Sequence, residues 1–362
     1  MESAPLFGRD RESLHKRVRS VFARRLPSTR TTERIGVAVV TVLALIAFGF
    51  VLLYWLQRQG YARPAYHQFL RGAETLDILL GTNLFRHPPV WHSISSAILA
   101  GIAVPLVGTF LVHREQALIG ETLAHTAFAG VALGAVLGGL VGWSIPTELV
   151  ALVVSVASAF LIQWFSANTD SHGDVPLAIV LTGSFAVGTL LISYSQGSIP
   201  LGVEIEEYLF GSAAIVTETG ARMMAGISAI VLGTVALYYK QLLYITFDTP
   251  AARAARIDVR GFETLLVVMA AAVVVGAMQI LGVILVAGLL VVPAATASQV
   301  AGSFRELVVL SVLFGEFSVA VGLFVSMVAG LPSGGVIITL AILLYLLSLV
   351  RSDRSPRSLA VH

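Results

Sequence analysis

A carboxylate and an imidazole stand four residues apart inside an almost uncharged apolar stretch of this sequence. Glu121 and His125 belong to the run ALIGETLAHTAFAGVALG at residues 117–134. Residues four apart lie on the same face of a helix, so both side chains would point the same way. An ionisable group at membrane depth costs about 3 kcal/mol or more and usually has a function. Carboxylate and imidazole are ligands that Zn²⁺ and similar divalent ions accept, so the pair predicts a metal site.

The composition predicts that membrane-spanning helices position this pair. Hydrophobic residues make up 56% of the 362 residues and charged residues 12%, and the mean hydropathy is +0.86. A soluble domain carries about 25% charged residues, and these apolar segments are too long for the strands of a membrane β-barrel. The chain has no cysteine. Any metal would therefore be held by histidine, carboxylate, backbone or water ligands.

Ten apolar segments are long enough to be membrane helices. They cover residues 35–56, 89–112, 117–142, 147–166, 175–194, 221–239, 262–279, 281–300, 306–329 and 334–350. Only Ile280 separates the seventh segment from the eighth, and we interpret the two as a tight pair of spans rather than one broken unit. With the basic tail 1–34 inside, 18 of the 23 Lys and Arg residues fall on the cytoplasmic side. The positive-inside rule therefore predicts that both termini are cytoplasmic.

The longest internal loop on the predicted cytoplasmic side covers residues 240–260. Thr249 is predicted to cap a short amphipathic helix, with Pro250 in its first position. Arg253 and Arg256 lie on this helix. The helix is either a surface helix whose arginines extend to water or a docking helix for a cytoplasmic partner.

Five stretches give the chain a specific resemblance to a known family. They are ALIGETLAHTAFAGVALG at 117–134, DVPLAIVLTG at 174–183, EYLFG at 207–211, YKQLLYITFD at 239–248, and LGVILVAGLLVVPAATA at 281–297 with LPSG at 331–334. In this order and spacing, across about residues 89–350, the chain resembles the membrane permease of zinc/manganese-type ATP-binding-cassette (ABC) importers. The resemblance implies an all-α polytopic permease of type II-like fold, with nine to ten transmembrane helices. It does not extend to the tail 1–34 or to the extra helix and exterior loop predicted over 35–88.

The resemblance also implies partners in a prokaryotic cell membrane. Two cytoplasmic ATPase subunits would hydrolyse ATP and an extracytoplasmic metal-binding protein would deliver the ion. A second permease chain would pair with this one as a homodimer, which is the expected form, or as a heterodimer. No P-loop motif occurs, and the only lysines are Lys16 and Lys240, so the chain itself is not predicted to be an enzyme. Membrane lipid is an expected partner. Nucleic acid and a permanently bound cofactor are not expected.

The resemblance further implies which residues do the work. The family's Asp-x-x-x-His metal pattern maps onto Glu121 and His125, with glutamate in place of aspartate. One chain would supply two ligands, and a two-fold axis beside the helix would supply the four that Zn²⁺ prefers. Zinc is the expected substrate, with manganese or iron next. The residues expected to couple the permease to the ATPase are Phe247, Asp248, Ala251, Arg253 and Arg256.

Glu316 is a further candidate, because it stands at the centre of the apolar segment 306–329. It is interpreted either as a residue of the ion pathway or as a protonated structural acid. Two other functions stay open. A proton-coupled secondary transporter would use Glu121, His125 and Glu316 as relay groups without an ATPase. A membrane scaffold would retain the Glu121–His125 pair only as a structural contact.

Overall fold

The structure is a computed structural model that describes residues 29–141, 146–168, 174–196, 209–211 and 216–351. Its helices are α1 Thr29–Arg58, α2 Arg63–Leu80, α3 Pro88–His113, α4 Ala117–Val141, α5 Thr147–Asn168, α6 Val175–Gln196, α7 Glu218–Phe247, α8 Thr249–Ala254, α9 Val259–Leu281, α10 Val283–Val300, α11 Phe304–Ala329 and α12 Ser333–Arg351. Most of the basic tail 1–34, the tail 352–362 and the first two residues of EYLFG lie outside the described residues.

Nine helices within the described ranges are long and apolar enough to cross a membrane. α10 adds a shorter apolar helix, Leu285–Val300. The prediction of an all-α polytopic membrane protein is confirmed. The seventh and eighth predicted segments are two separate helices, α9 and α10, and the break between them falls at Gly282 rather than at Ile280.

The bundle has two ends, which we name after the short helices found there. At the α8 end, the Phe304 ring at the start of α11 lies 5.4 Å from His113 of α3 and 5.1 Å from Phe247 of α7. At the α2 end, the indole N–H of Trp91 in α3 donates a 2.6 Å hydrogen bond to the carbonyl of Phe85. The membrane helices run between these two ends.

α3 and α9 form the centre of the bundle because small residues let neighbouring helices approach them closely. Of their most apolar stretches, 89% and 72% is buried. Gly108 of α3 lies against the backbone of Leu290 in α10, where a Cβ atom would overlap the Leu290 carbonyl. A Cβ atom on Gly315 of α11 would overlap the Pro105 ring of α3 and lie close to the Gly101 carbonyl. Close backbone packing of this kind is the main source of helix association in membranes.

Three glycines of the family-like stretches, Gly211, Gly282 and Gly334, meet at the break between α9 and α10. Gly282 has φ +78° and ψ 150°, a conformation that is essentially restricted to glycine. A Cβ atom on Gly282 would overlap the backbone of Leu209, and one on Gly211 would overlap the same turn. A Cβ atom on Gly334 would overlap the carbonyl of Leu281. Glycines from three distant parts of the sequence therefore form one close-packed corner.

The N-terminal extension contains a second helix, α2, where the sequence predicts only an exterior loop. Near the end of α2, the Asp77 carboxylate accepts hydrogen bonds from the backbone N–H groups of Leu84, Phe85 and Arg86 and from the Thr82 hydroxyl, at 2.8–3.0 Å. Burial alone would raise the pKa of this carboxyl, but the hydrogen bonds outweigh burial and hold the pKa below its ordinary value. These four hydrogen bonds, which we call the Asp77 clasp, hold the turn that leads into α3.

α1 is attached to the rest of the bundle by aromatic contacts and by an ion pair. The rings of Phe50 and Tyr54 lie 5.4 and 4.4 Å from His92 of α3, in edge-to-face geometry. At the α2 end, Arg58 forms an ion pair with Glu218 at the start of α7. α1 also packs against α11. The extension therefore contacts three helices of the bundle.

The loop predicted at 240–260 begins later than the sequence indicates, because α7 continues to Phe247. Leu242 and Ile245 are fully buried, and their apolar side chains hold this last part of the helix against the bundle. The backbone of Tyr238 departs from helical geometry, with φ −110° and ψ 18°. The helix therefore bends where the predicted span ends and does not stop there.

The predicted cap of the short helix was wrong by one residue. Asp248 caps α8, because its carboxylate accepts a 2.8 Å hydrogen bond from the N–H of Ala251. Thr249 is instead the first helical residue, and its hydroxyl donates to the carbonyl of Ile245 at 3.2 Å. Aspartate outcompetes threonine here because an ionised cap also interacts favourably with the helix dipole.

Candidate functional site

The two candidate metal ligands lie one turn and two turns into α4, close to the α8 end. Glu121 is exposed and His125 is half-buried. The carboxylate interacts electrostatically with the imidazole. The Nδ1 atom of His125 is buried and has no hydrogen-bond partner within the described residues. Among the described residues, no hydrogen bond of this nitrogen therefore closes the Glu121–His125 pair into a structural contact.

Packing on the other faces of α4 fixes the direction of this pair. Gly130 lies against the backbone of Ala151 in α5, where a Cβ atom would overlap it. The Thr126 hydroxyl donates to the Ser155 hydroxyl of α5 at 3.4 Å. On the side of His125, the Phe185 ring of α6 meets the imidazole edge-on at 5.1 Å. α5 and α6 therefore hold the helix, and Glu121 remains open to the outside of the chain.

One chain supplies an incomplete set of metal ligands at this position. Within the described residues, no group of three or more His, Asp and Glu side chains could hold a metal ion. Glu121 and His125 are thus only two candidate ligands, one of them exposed and the other half-buried. A divalent ion bound there would need further ligands from water or from another chain.

Glu316 lies in a different part of the bundle. α11 packs against α1, α3, α10 and α12, and Glu316 is only 5% exposed. Its carboxyl lies beside Gly101 of α3, and its Oε1 atom has no hydrogen-bond partner among the described residues. It borders an apolar cavity of about 710 Å³ between α1, α3 and α11. The structure therefore does not bring Glu316 together with Glu121 and His125 within one chain.

The residues predicted to couple the permease to an ATPase form an exposed surface at the α8 end. Phe247, Asp248, Ala251, Arg253 and Arg256 are all exposed. Ala252 faces inward and is fully buried. Arg256 follows α8 with a φ of +58°, a left-handed conformation that turns the chain back towards α9. We call these five exposed residues the α8 surface. It presents two arginines and one aromatic ring to the outside, while Ala252 packs α8 against the bundle.

Sequence reasoning missed one buried charge at the same end. Arg114, in the turn between α3 and α4, is 8% exposed and forms an ion pair with Glu263 of α9. In the sequence, a single arginine in a four-residue turn is fully explained by the positive-inside rule. Only the position of α9 beside this turn reveals that the charge is paired.

A bundle of membrane-spanning helices, with a candidate pair of metal ligands on one of them and an exposed short helix at one end, is the arrangement expected of a membrane transport protein. The comparison with known families makes this specific, because the ABC 3 transport family matches residues 87–352. The chain belongs to this family.

Curated relatives and a solved structure agree with this assignment. The "Manganese transport system membrane protein MntC" of Halalkalibacterium halodurans is 30% identical over 265 residues, which cover 73% of this chain and 87% of the relative. The "Probable metal transport system membrane protein" of Treponema pallidum is 32% identical over 266 residues, covering 73% and 96%. The structure of PsaBC from Streptococcus pneumoniae in complex with Fab matches with a TM-score of 0.64 and 29% identity, covering 76% of this chain and 95% of that chain.

The predicted resemblance to permeases of metal-ion ABC importers is confirmed by these comparisons. The specific expectation of zinc gains no support from them, since MntC is named for manganese. The roles of Glu121, His125, Glu316 and the α8 surface stay predictions.

Proposed function

We propose that this chain is the permease subunit of an ATP-driven importer of a divalent metal ion, and that Glu121 and His125 bind the ion in transit. The observation that carries this proposal is the pair on α4, in which the exposed Glu121 carboxylate stands one turn before a half-buried His125 whose Nδ1 atom has no hydrogen-bond partner among the described residues. A structural pair would be closed by a hydrogen bond and enclosed by neighbouring helices. A transit site must instead release its ion, and two ligands on an open face suit weak, reversible binding.

A second permease chain would complete the site. If a two-fold axis passes beside α4, Glu121 and His125 of both chains would give four ligands, two of them carboxylates that neutralise a dication. The outer helices α5 and α6 leave room for such a contact, because only 28% and 17% of their most apolar stretches is buried within the chain; α1 and α12 are similarly uncovered, at 22% and 28%, but only α5 and α6 pack beside the pair on α4. We therefore place the homodimer interface on the side of α4, α5 and α6.

The α8 surface is the proposed contact with a cytoplasmic ATPase. Of the 23 Lys and Arg residues, 18 fall on the α8 side of the membrane in the predicted topology, and this bias supports a cytoplasmic location for the α8 end. ATP binding in the partner would move α8 and, through the bundle, tip the two permease chains between outward and inward access. A metal-binding protein on the α2 side would deliver the ion.

Manganese and zinc are both acceptable substrates for a carboxylate–imidazole pair. The names of the relatives favour manganese, and we therefore place it ahead of zinc and iron for this chain.

Uptake of radioactive Mn²⁺ or Zn²⁺ into proteoliposomes tests the proposal. The vesicles would contain the chain with its co-expressed ATPase, and the metal-binding protein would be added outside. His125→Ala and Glu121→Gln should lower ATP-dependent uptake by about tenfold or more, as losing a metal contact does. His67→Ala on α2 and Glu115→Gln in the α3–α4 turn are matched controls, since both side chains are exposed.

Each other outcome points to a different function. Uptake that is driven by a proton gradient without ATP would identify a secondary transporter. Normal ATP-driven uptake by both site variants would remove Glu121 and His125 from the pathway. A loss of folding in His125→Ala, with no separate effect on transport, would favour the scaffold.

A further inference from the structure

The buried Arg114 lies at a junction between the α8 surface and the helix that carries the candidate metal ligands. Its guanidinium Nη1 donates a 2.7 Å hydrogen bond to the carbonyl of Ile245, in the last turn of α7. Its Nη2 lies 2.5 Å from Oε1 of Glu263, in the first turns of α9. α8 sits between Ile245 and Glu263 in the sequence, so one side chain binds both flanks of the proposed docking helix.

The backbone of Arg114 belongs to a tight turn that leads directly into α4. Arg114 is the residue that ends α3, and its N–H bonds back to the carbonyls of Phe110 and Leu111. Glu115 takes a left-handed conformation with φ +59°, and the N–H of Gln116 bonds to the carbonyl of Leu111 at 2.9 Å. Because these hydrogen bonds hold the turn in one conformation, the turn can deform little. A displacement of Arg114 is therefore passed on to the start of α4.

The distance from this turn to the candidate metal site is short. α4 begins at Ala117 and Glu121 follows four residues later, which is about 6 Å along a helix at 1.5 Å per residue. His125 lies one further turn along the same face. A shift of the flanks of α8 thus reaches both candidate ligands through one side chain and about two turns of helix.

The contact is strong enough for this task. An exposed ion pair contributes little to stability, and the Glu263 side chain is 36% exposed, but the Arg114 side chain is only 8% exposed and makes charge-assisted hydrogen bonds with both of its terminal nitrogens. Arginine is suited to the position because its rigid fork can bind two acceptors at once, whereas a lysine ammonium is a single point of charge. The neighbouring His113 reaches this flank only through a looser ring contact with Phe247 at 6.3 Å.

We propose that Arg114 is a positioning residue that couples movement of α8 to the α4 helix, and hence ATP hydrolysis in the partner to movement of the metal ion. The inference rests on the proposed function. Arg114 touches neither the ion nor the ATPase. It acts by keeping α7, α9 and the start of α4 in register, so that they move as one unit.

The test compares transport with ATP hydrolysis in the reconstituted complex. Arg114→Gln should lower the amount of Mn²⁺ transported per ATP hydrolysed by about tenfold or more, in the range typical of coupling between sites. Binding of Mn²⁺ to the detergent-solubilised complex and co-purification of the ATPase should not change. Arg114→Lys keeps the charge but loses the fork, and should give an intermediate ratio. Arg260→Gln, which removes an exposed charge from the same end of the bundle, is the matched control.

A second measurement keeps the inference testable if Arg114→Gln assembles poorly. The chain has no cysteine, so spin labels on Leu118→Cys and Val37→Cys, both exposed sites, report the distance between α4 and α1. ATP should change this distance in the otherwise native complex, and Glu263→Gln, which removes the ion pair from the other side, should reduce the change.

The outcomes separate this inference from the proposed function. An unaltered transport ratio in Arg114→Gln, or an unaltered ATP-dependent distance in Glu263→Gln, would overturn the role of Arg114 while leaving the importer intact. Equal loss of transport in Arg114→Gln and Arg260→Gln would mean that losing any positive charge at this end has the same effect, and would also overturn the role of Arg114. No ATP-dependent Mn²⁺ uptake by the native complex would instead refute the proposed function itself.

Discussion

The break at Gly282 makes a quantitative prediction about the stability of the bundle. An alanine there would have to adopt φ +78° and ψ 150°, which costs about 1–3 kcal/mol in backbone strain. Its Cβ atom would also overlap the backbone of Leu209 and Gly211, and overpacking of this kind costs about 1–3 kcal/mol. Gly282→Ala should therefore lower the free energy of unfolding by about 2–6 kcal/mol in total.

Two other glycines separate the two parts of this estimate. Gly330, which ends α11, has φ +67°, but no heavy atom lies within 4 Å of the position that a Cβ atom would take there. Gly330→Ala should therefore cost only the strain of about 1–2 kcal/mol. Gly226 lies inside α7 with ordinary helical geometry and open space. Gly226→Ala should stabilise the helix by about 0.5–1 kcal/mol.

Unfolding of the purified protein in mixed micelles by increasing fractions of SDS, followed by circular dichroism, measures these differences. The expected order of stability is Gly226→Ala, then the native chain, then Gly330→Ala, and last Gly282→Ala. If Gly282→Ala unfolds at the same SDS fraction as Gly226→Ala, neither the strain nor the overlap at the corner is real. If it matches Gly330→Ala, the strain is real but the close packing against Leu209 is not.

Three further predictions concern the Asp77 clasp, the α8 surface and the packing of α4. The pKa of Asp77 is below its ordinary value in the folded protein. The stabilising effect of the ionised carboxylate is therefore present above about pH 4 and is lost as the pH falls through the folded pKa. Asp77→Asn should lower the melting temperature at pH 7, and the difference from the native chain should shrink in acid. Phe247→Ala removes an exposed ring that lies 5.1 Å from Phe304, so it should weaken co-purification of the ATPase while leaving the melting temperature nearly unchanged. Gly130→Leu places a side chain against the backbone of Ala151 and should destabilise the protein by about 1–3 kcal/mol in SDS titration.

Each of these changes has a control in the same region of the chain. Glu74→Gln on the exposed face of α2, Tyr244→Ala on the exposed face of α7 and Gly183→Leu, which points into open space, should have little effect. A pH-independent loss of stability in Asp77→Asn would contradict the ionised clasp. Normal ATPase binding by Phe247→Ala would exclude its ring from the docking surface, and a harmless Gly130→Leu would disprove the close α4–α5 contact.

Membrane spans were predictable because apolar runs of about 20 residues leave few alternatives to a helix. The helix α2 was not predictable, because its sequence is only mildly apolar. Its end is also fixed by Asp77, which accepts backbone hydrogen bonds from residues up to nine positions later. The end of α7 was misplaced for a related reason. Lys240 and Gln241 resemble the start of a loop, but Leu242 and Ile245 are buried by tertiary contacts that the local sequence does not reveal.

The candidate site was predictable to a different extent for different residues. The shared direction of Glu121 and His125 follows from helical periodicity alone. The partnership of Arg114 with Glu263 could not be predicted, because 149 residues separate them and their meeting depends on α9 packing beside the α3–α4 turn. The glycines at 211, 282 and 334 were visible as parts of conspicuous stretches, but only the fold brings them to one corner.

The attachment of α1 has a consequence for how two such chains can assemble. α1 covers one flank of the bundle, where it packs on α3 and α11 and is tied to α7 by the Arg58–Glu218 ion pair. A second copy related by two-fold symmetry cannot use the surface that α1 already occupies. In the homodimer that we propose, the extension would act as a steric guide that directs the second copy away from this flank, which is compatible with pairing through α4, α5 and α6.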